Sequence, residues 1–293
     1  MMRKIIDIHA HTSEHAMRGL HVTSAGLEDL ESFAEGYNVA RIVLMATYFP
    51  FKGTGLTNED LLGRLYGDRS LFLPFGSLDV MNNFTEGLSK LSKLAEEKKI
   101  AGVKIYPGYQ NFCPSDPTFF SLYSLAEEFN LSVAIHTGEL HHCCSREQRE
   151  QGNRKCRRNN CPIDQLGHLA EPCQMIGAIK AFPRVNFILA HLGNPYFSQV
   201  RDAISLFPNV YTDISGQFLS GTEEDTEEYR QFVVEQIRQI LRVPRGIDRL
   251  MFGTDFPIQS YADSIALVKA LHLSVEDEEK IFYGNAARLL GLS

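Results

Sequence analysis

Eight short, apolar, β-branched runs recur along this chain with segments of helical periodicity between them, and few folds accept that alternation. Parallel strands cannot be joined by tight hairpins; each needs a crossover, and a helix supplies it. Strands are expected near Ile5–Ile8, Arg41–Ala46, Phe72–Leu78, Ala101–Tyr106, Ser132–His136, Asn186–His191, Val210–Ile214 and Arg249–Gly253. Eight is the number that closes a barrel of parallel strands. Strands buried on both faces should read as unbroken apolar runs, and IVLM at 42–45 and FILA at 187–190 do. Between them, Thr85–Lys98 spaces Leu88, Leu91 and Leu94 about one turn apart, and Phe119–Phe129 follows Pro117. Glu227–Leu241 is stopped by Val243-Pro244, and Asp263–Leu271 and Ala286–Leu290 close the series. The expectation is a single (β/α)₈ barrel spanning 1–293.

A length of 293 residues suits one such barrel, and 44% hydrophobic residues leave enough apolar mass for its core. Two segments depart from the alternation. Residues 139–170 form a long, charged, Cys-rich loop insertion after strand five, and 216–226 are polar and Gly-rich after strand seven. Barrel enzymes place their active-site loops on that side.

The ionisable residues fall at the same ends. His9 and His11 close strand one, and a spacing of two on an extended strand puts both imidazoles on one face. Lys104 stands in strand four, His136 ends strand five, His191 ends strand six and Asp255 follows strand eight. A closed barrel gathers all of them at one mouth. Imidazole and carboxylate are the donors of a catalytic zinc or similar divalent ion with an open position for water. Any one of them alone has a plainer reading: a lone histidine at a strand end is more often core or surface, and Lys104 could pair with a carboxylate. Independent placement of the whole set at matching strand ends is the unlikely alternative. His15, His21 and His272 keep the plain reading.

A net charge of −7 argues against nucleic acid and anionic membranes as partners. No apolar run of about 18 residues spans a membrane, and the opening residues do not read as a signal peptide, so the cytoplasm is the expected compartment. Six cysteines do not make a disulfide scaffold, yet five lie between Cys143 and Cys173. Cys143, Cys144, Cys156 and Cys161 could hold a structural zinc, although their spacing lacks the C-x₂-C pairs that make such sites persuasive, and free thiols explain them equally well. Arg157 and Arg158 belong to a basic cluster in the same loop. Either they draw an anionic small-molecule substrate to the mouth, or the loop is simply solvated.

The ordered set HAH, HTG, AHLGNP and GTDFP, with DISG at Asp213–Gly216 and the ending GNAARLLGL, resembles the amidohydrolase superfamily. The nearest branch is the amidohydrolase-2 group, which includes aminocarboxymuconate-semialdehyde decarboxylase and many hydrolases. This resemblance implies that His9, His11 and His136 bind a metal, with Asp255 as a further ligand or the base beside it. It implies that His191 is a second-site ligand or a catalytic histidine. Lys104 matches either the carboxylated lysine that bridges two metals or the plain lysine of single-metal members; one metal is the expectation, with a second possible. His168 lies near a His-Pro of simpler relatives and is a candidate for substrate contact. The resemblance implies a metal-dependent hydrolase of amides, esters or lactones, or a non-oxidative decarboxylase on the same residues, and a homodimer would suit the group. A non-catalytic binding protein would have lost members of the set, and none is lost.

Overall fold

The computed structural model describes residues 3–13, 22, 25–48, 56–67, 70–141, 162–223 and 225–292. Among them, eight parallel strands lie in sequential order, each hydrogen-bonded to the next. They are β1 Ile5–Ala10, β2 Val39–Met45, β3 Phe72–Gly76, β4 Gly102–Ile105, β5 Ser132–Ile135, β6 Phe187–Leu189, β7 Val210–Asp213 and β8 Leu250–Met251. Helices stand between them, so the chain is a (β/α)₈ barrel. All eight expected strands are present, mostly shorter than their apolar runs because the last residues of each run turn into the loops. The helix at Glu227–Leu241 has the expected bounds, and those at Phe84–Glu96 and Phe120–Glu128 sit within a few residues of expectation. The described end of the expected 139–170 loop departs from a loop: Pro162–Leu166 is α-helical and Gly167–Ala170 continues as a 3₁₀ turn.

Strand alternation sorts the core into two layers. Ile6, Ile8, Val43, Met45, Phe75, Ala134, Ile188, Tyr211 and Met251 fill the barrel interior. Leu44, Val103, Val133, Ile135 and Leu189 face the helices. Phe75 pairs with Gly102 across β3 and β4, and a Cβ on Gly102 would collide with the Phe75 ring. Glycine there lets one aromatic ring cross the barrel beneath the mouth.

The closing seam between β1 and β8 positions the site. Because β8 is only two residues long, the chain just beyond it completes the seam. Ile8 N donates to Phe252 O, Asp255 N to His9 O and His11 N to Phe256 O, at 3.1, 2.7 and 2.8 Å. Asp7 lies wholly buried under this seam. Its Oδ1 accepts from the backbone N–H groups of His9 and Thr254, each at 3.1 Å, and its Oδ2 from the Thr254 hydroxyl at 2.6 Å. Barrel closure and the placement of His9, His11 and Asp255 are therefore one event.

A second tie joins the loops after β7 and β8. Arg230 bonds Asp225 at 2.6 and 2.7 Å and Asp263 at 2.7 Å, while the Ser220 and Ser260 hydroxyls donate to the other Asp263 oxygen at 2.6 Å. Burial opposes ionisation of Asp263, but these hydrogen bonds and the guanidinium outweigh it and hold its carboxyl below the usual range. A depressed folded pKa stabilises the fold above the unfolded value of about 3.9 and loses that stabilisation as pH falls through the folded value. Asp263→Asn should cost about 1–2 kcal/mol at pH 7. The gap in melting temperature from the parent protein should shrink below about pH 4; a gap that persists in acid would show that the ionised carboxyl is not its source.

Candidate metal centre

Three side chains meet most closely on the barrel floor. His9, His191 and Asp255 each offer a ligand atom, and the three atoms lie within 4.8 Å of one another, all buried. They come from β1, from the turn after β6 and from the turn after β8. His9 Nε2 is 3.5 Å and His11 Nε2 3.2 Å from Asp255 Oδ1, and Lys104 Nζ is 3.3 Å from His9 Nε2. Ring centroids of His9 and His191 are 4.6 Å apart, and those of His136 and His191 4.9 Å. All six mouth residues expected from the sequence thus converge.

The tightest group is not the same as the expected ligand set of His9, His11, His136 and Asp255. His191 stands in the tightest group, while His136 stands one ring further out. His136 Nε2 faces the Glu139 carbonyl at 3.2 Å, which makes Nε2 its protonated nitrogen and leaves Nδ1 with the lone pair. His168 is exposed, with Nδ1 3.1 Å from the Gln165 carbonyl, and takes no part in the cluster. Arg157, Arg158, Cys143, Cys144, Cys156 and Cys161 lie outside the described residues, as do His15 and His21.

Backbone conformation aims two of these groups. His191 and Leu192 adopt φ of 62° and 54°, and Asp255 a φ of 54°. Left-handed geometry is tolerable for His and Asp but costly for a branched apolar residue. Hydrogen bonds hold it in place: His191 N donates to Asp213 Oδ1 at 3.1 Å and Asp255 N to His9 O.

Burial sets the charge of the site. It pushes the His9 imidazole down to about 3, helped by the Lys104 charge, and holds His136 well below its ordinary range. His191 is lowered too, chiefly by burial, against the pull of Asp255. Burial also lowers Lys104 to about 8, partly offset by Asp213 and Asp255. For Asp255 burial acts upward, but the His11 hydrogen bond and the neighbouring imidazoles outweigh it and hold the carboxyl well below its usual value. The outcome is an anionic carboxylate among buried imidazoles that resist protonation.

That donor set fits a divalent cation. A neutral imidazole lone pair on His9 Nε2 and a carboxylate oxygen 3.5 Å away are the donor types a divalent cation takes, and the Lys104 ammonium 3.3 Å from Nε2 offsets their repulsion meanwhile. Among the described residues His11 Nδ1 is buried without a hydrogen-bond partner, and a buried polar atom left unsatisfied costs about 1–3 kcal/mol.

Sequence reasoning gave no separate role to Asp213, Ser215 or Gly216, which entered only as a fragment of the resemblance. Asp213 and Ser215 are fully buried beside the histidines. Asp213 lies two residues past the inward Tyr211, so strand alternation alone points it into the barrel.

Solved structures with this fold include a probable 2-pyrone-4,6-dicarboxylic acid hydrolase from Acinetobacter baumannii with citric acid bound, at 14% identity, covering 98% of this chain and 99% of that one with a TM-score of 0.69. A 5-carboxyvanillate decarboxylase from Sphingomonas paucimobilis matches at 16% identity over 100% of both chains, with a TM-score of 0.66. A dihydroxybenzoic acid decarboxylase from a Polaromonas species, with bound manganese and the inhibitor 2-nitroresorcinol, matches at 14% identity over 99% and 97% with a TM-score of 0.65. At such identities the likeness is one of fold. No curated protein matches the sequence significantly. The sequence model described as Amidohydrolase matches residues 6–292. That span takes in all eight strands but for Ile5, and each side chain of the buried cluster, so the chain belongs to the amidohydrolase family of enzymes.

Proposed function

We propose that this enzyme is a metal-dependent hydrolase that directs water onto a small-molecule amide, ester or lactone. The observation that carries the reading is the meeting of His9, His191 and Asp255 within 4.8 Å on a buried floor. Those three would hold one divalent ion, with His11 and His136 facing the same space as further donors. Bound there, a divalent cation supplies a Lewis acid that lowers the pKa of water from about 15.7 towards 7 and polarises a carbonyl. Zinc suits the donors, and the manganese of the Polaromonas relative suits them as well.

The chain's own groups do the rest. Asp255 stays ionised, so it accepts the proton of the attacking water and returns it to the leaving group. His191 and His136 present lone pairs rather than protons to the site, so polarisation of a substrate carbonyl would fall to the bound ion. Lys104, held against His9, is the cation that balances Asp213 and Asp255. In a two-metal form its amine would have to react with CO₂, losing a proton, and the resulting carbamate would be the bridge. The basic cluster around Arg157 and Arg158 would draw in a carboxylated substrate, in keeping with the dicarboxylic acid hydrolase among the fold relatives.

The same residues would serve a decarboxylase, and the decarboxylases of the same fold favour keeping that reading. There the ion would hold the substrate and a protonated group would deliver a proton to carbon.

Elemental analysis of purified protein should find one equivalent of divalent ion per chain; two would promote Lys104 to a bridging role. The metal-loaded enzyme should open carboxylated lactones without releasing CO₂. Release of CO₂ from hydroxybenzoates with no lactone hydrolysis would transfer the site to the decarboxylase reading.

A further inference from the structure

We propose that Asp213 is a positioning residue that locks His9 in the tautomer carrying its proton on Nδ1, so that the Nε2 lone pair faces the metal position. The inference rests on the metal-dependent reading above and adds a residue to it.

Asp213 is fully buried at the end of β7, and its two oxygens do different things. Oδ1 is saturated by donors: the backbone N–H groups of His191 and Ser215, each at 3.1 Å, and the Ser215 hydroxyl. Oδ2 faces His9 Nδ1 at 3.4 Å. With three donors gathered on Oδ1, the group is placed as a hydrogen-bond acceptor, and Oδ2 as its second acceptor assigns the proton between them to Nδ1. The other neighbours of the ring agree. With its own proton given to Asp213, the Ser215 hydroxyl can only accept at His9 Nδ1, 3.2 Å away. On the opposite edge, the Lys104 ammonium has only donors to offer and stands 3.3 Å from Nε2. Asp255 Oδ1 is a competing acceptor at Nε2, but at 3.5 Å it stands further off than the Lys104 ammonium, so the nearer partner on each edge of the ring calls for the same tautomer.

The unequal loading of the two oxygens makes a sharp substitution possible. In Asp213→Asn, which keeps the shape, the three donors at Oδ1 force the amide oxygen into that position. The NH₂ group must then occupy the place of Oδ2 and point a hydrogen at His9 Nδ1. A donor there can be met only by an Nδ1 lone pair, which moves the ring proton to Nε2 and removes the ligating lone pair. Ser215→Ala is the contrasting change. It takes away one acceptor at Nδ1 but leaves Oδ2 in place, so the tautomer should hold.

The test uses ¹⁵N NMR of the histidine rings in the full chain stripped of metal, together with the dissociation constant for zinc alone. The parent protein and Ser215→Ala should show His9 with a protonated Nδ1. Asp213→Asn should show it with a protonated Nε2 and bind zinc about 10–100-fold more weakly, with a melting temperature close to that of the parent. A His9 ring protonated at Nε2 in the parent would overturn the proposal even if no variant folded. So would an Asp213→Asn protein whose His9 keeps its Nδ1 proton, or whose zinc affinity is unchanged. Should the parent bind no divalent ion at all, the metal-dependent reading fails instead, and the ring tautomers still decide the role of Asp213.

Discussion

Asp255→Asn should lower kcat/KM by about 10³-fold or more while leaving the fold intact. The loss follows from the role: an amide can neither take the proton of water nor neutralise a divalent cation, and removing a general base costs about 10²–10⁴ on its own. The intact fold follows from the backbone. Asp255 has a φ of 54°, a conformation that asparagine accepts more readily than most residues, and the two backbone hydrogen bonds that frame it involve no side-chain atom. Because its carboxyl is held well below the usual range, the ionised group adds to the stability of the fold at neutral pH, so the metal-free variant should stay folded but melt somewhat lower than the parent. Steady-state kinetics and thermal melts decide it together. Near-normal turnover would remove Asp255 from the chemistry, whereas a collapse in melting temperature would make it a structural residue of the seam.

Gly216→Ala should also damage the enzyme severely, by about 10²-fold in kcat/KM, although residue 216 carries no chemistry. A Cβ there would lie 2.7 Å from Asp255 Oδ2 and 3.0 Å from His191 Nδ1. Both are among the groups that meet most closely, and a displacement of even a few tenths of an ångström would pull apart the proposed ligands. The variant also pays for a left-handed backbone at φ +59°, about 1–2 kcal/mol for any residue with a side chain. Gly221→Ala separates the two effects. It lies in the same loop at φ +76°, yet among the described residues nothing stands within 4 Å of its would-be Cβ. Gly221→Ala should lose stability of similar size and keep its activity. If the two variants lose activity equally, loop strain rather than crowding of the site is responsible.

Much of this protein was legible in its residues alone. The apolar runs have the length and spacing of buried parallel strands, because a strand covered on both faces has no polar side to show. Once the strands are placed, the histidines at 9, 11, 136 and 191, with Lys104 and Asp255, must collect at the carboxyl ends of the strands, and they do. Strand ends were less legible: the hydrophobic signal of β8 runs past Met251, but the chain there leaves the ladder to form the seam and turn Asp255 inward.

Tertiary structure alone decided which of the gathered residues stand closest. Proximity across the barrel depends on the left-handed turn at His191 and the positive φ of Asp255, which no periodicity encodes. Those turns bring His191 into the inner group and leave His136 against the Glu139 carbonyl. Nor could the linear order show that Asp213 lies under His9, 204 positions earlier, or that Gly216 is bare to make room for Asp255. Local patterns report which face of a strand or helix is buried, whereas the partner that a buried polar atom finds is settled only when distant segments pack.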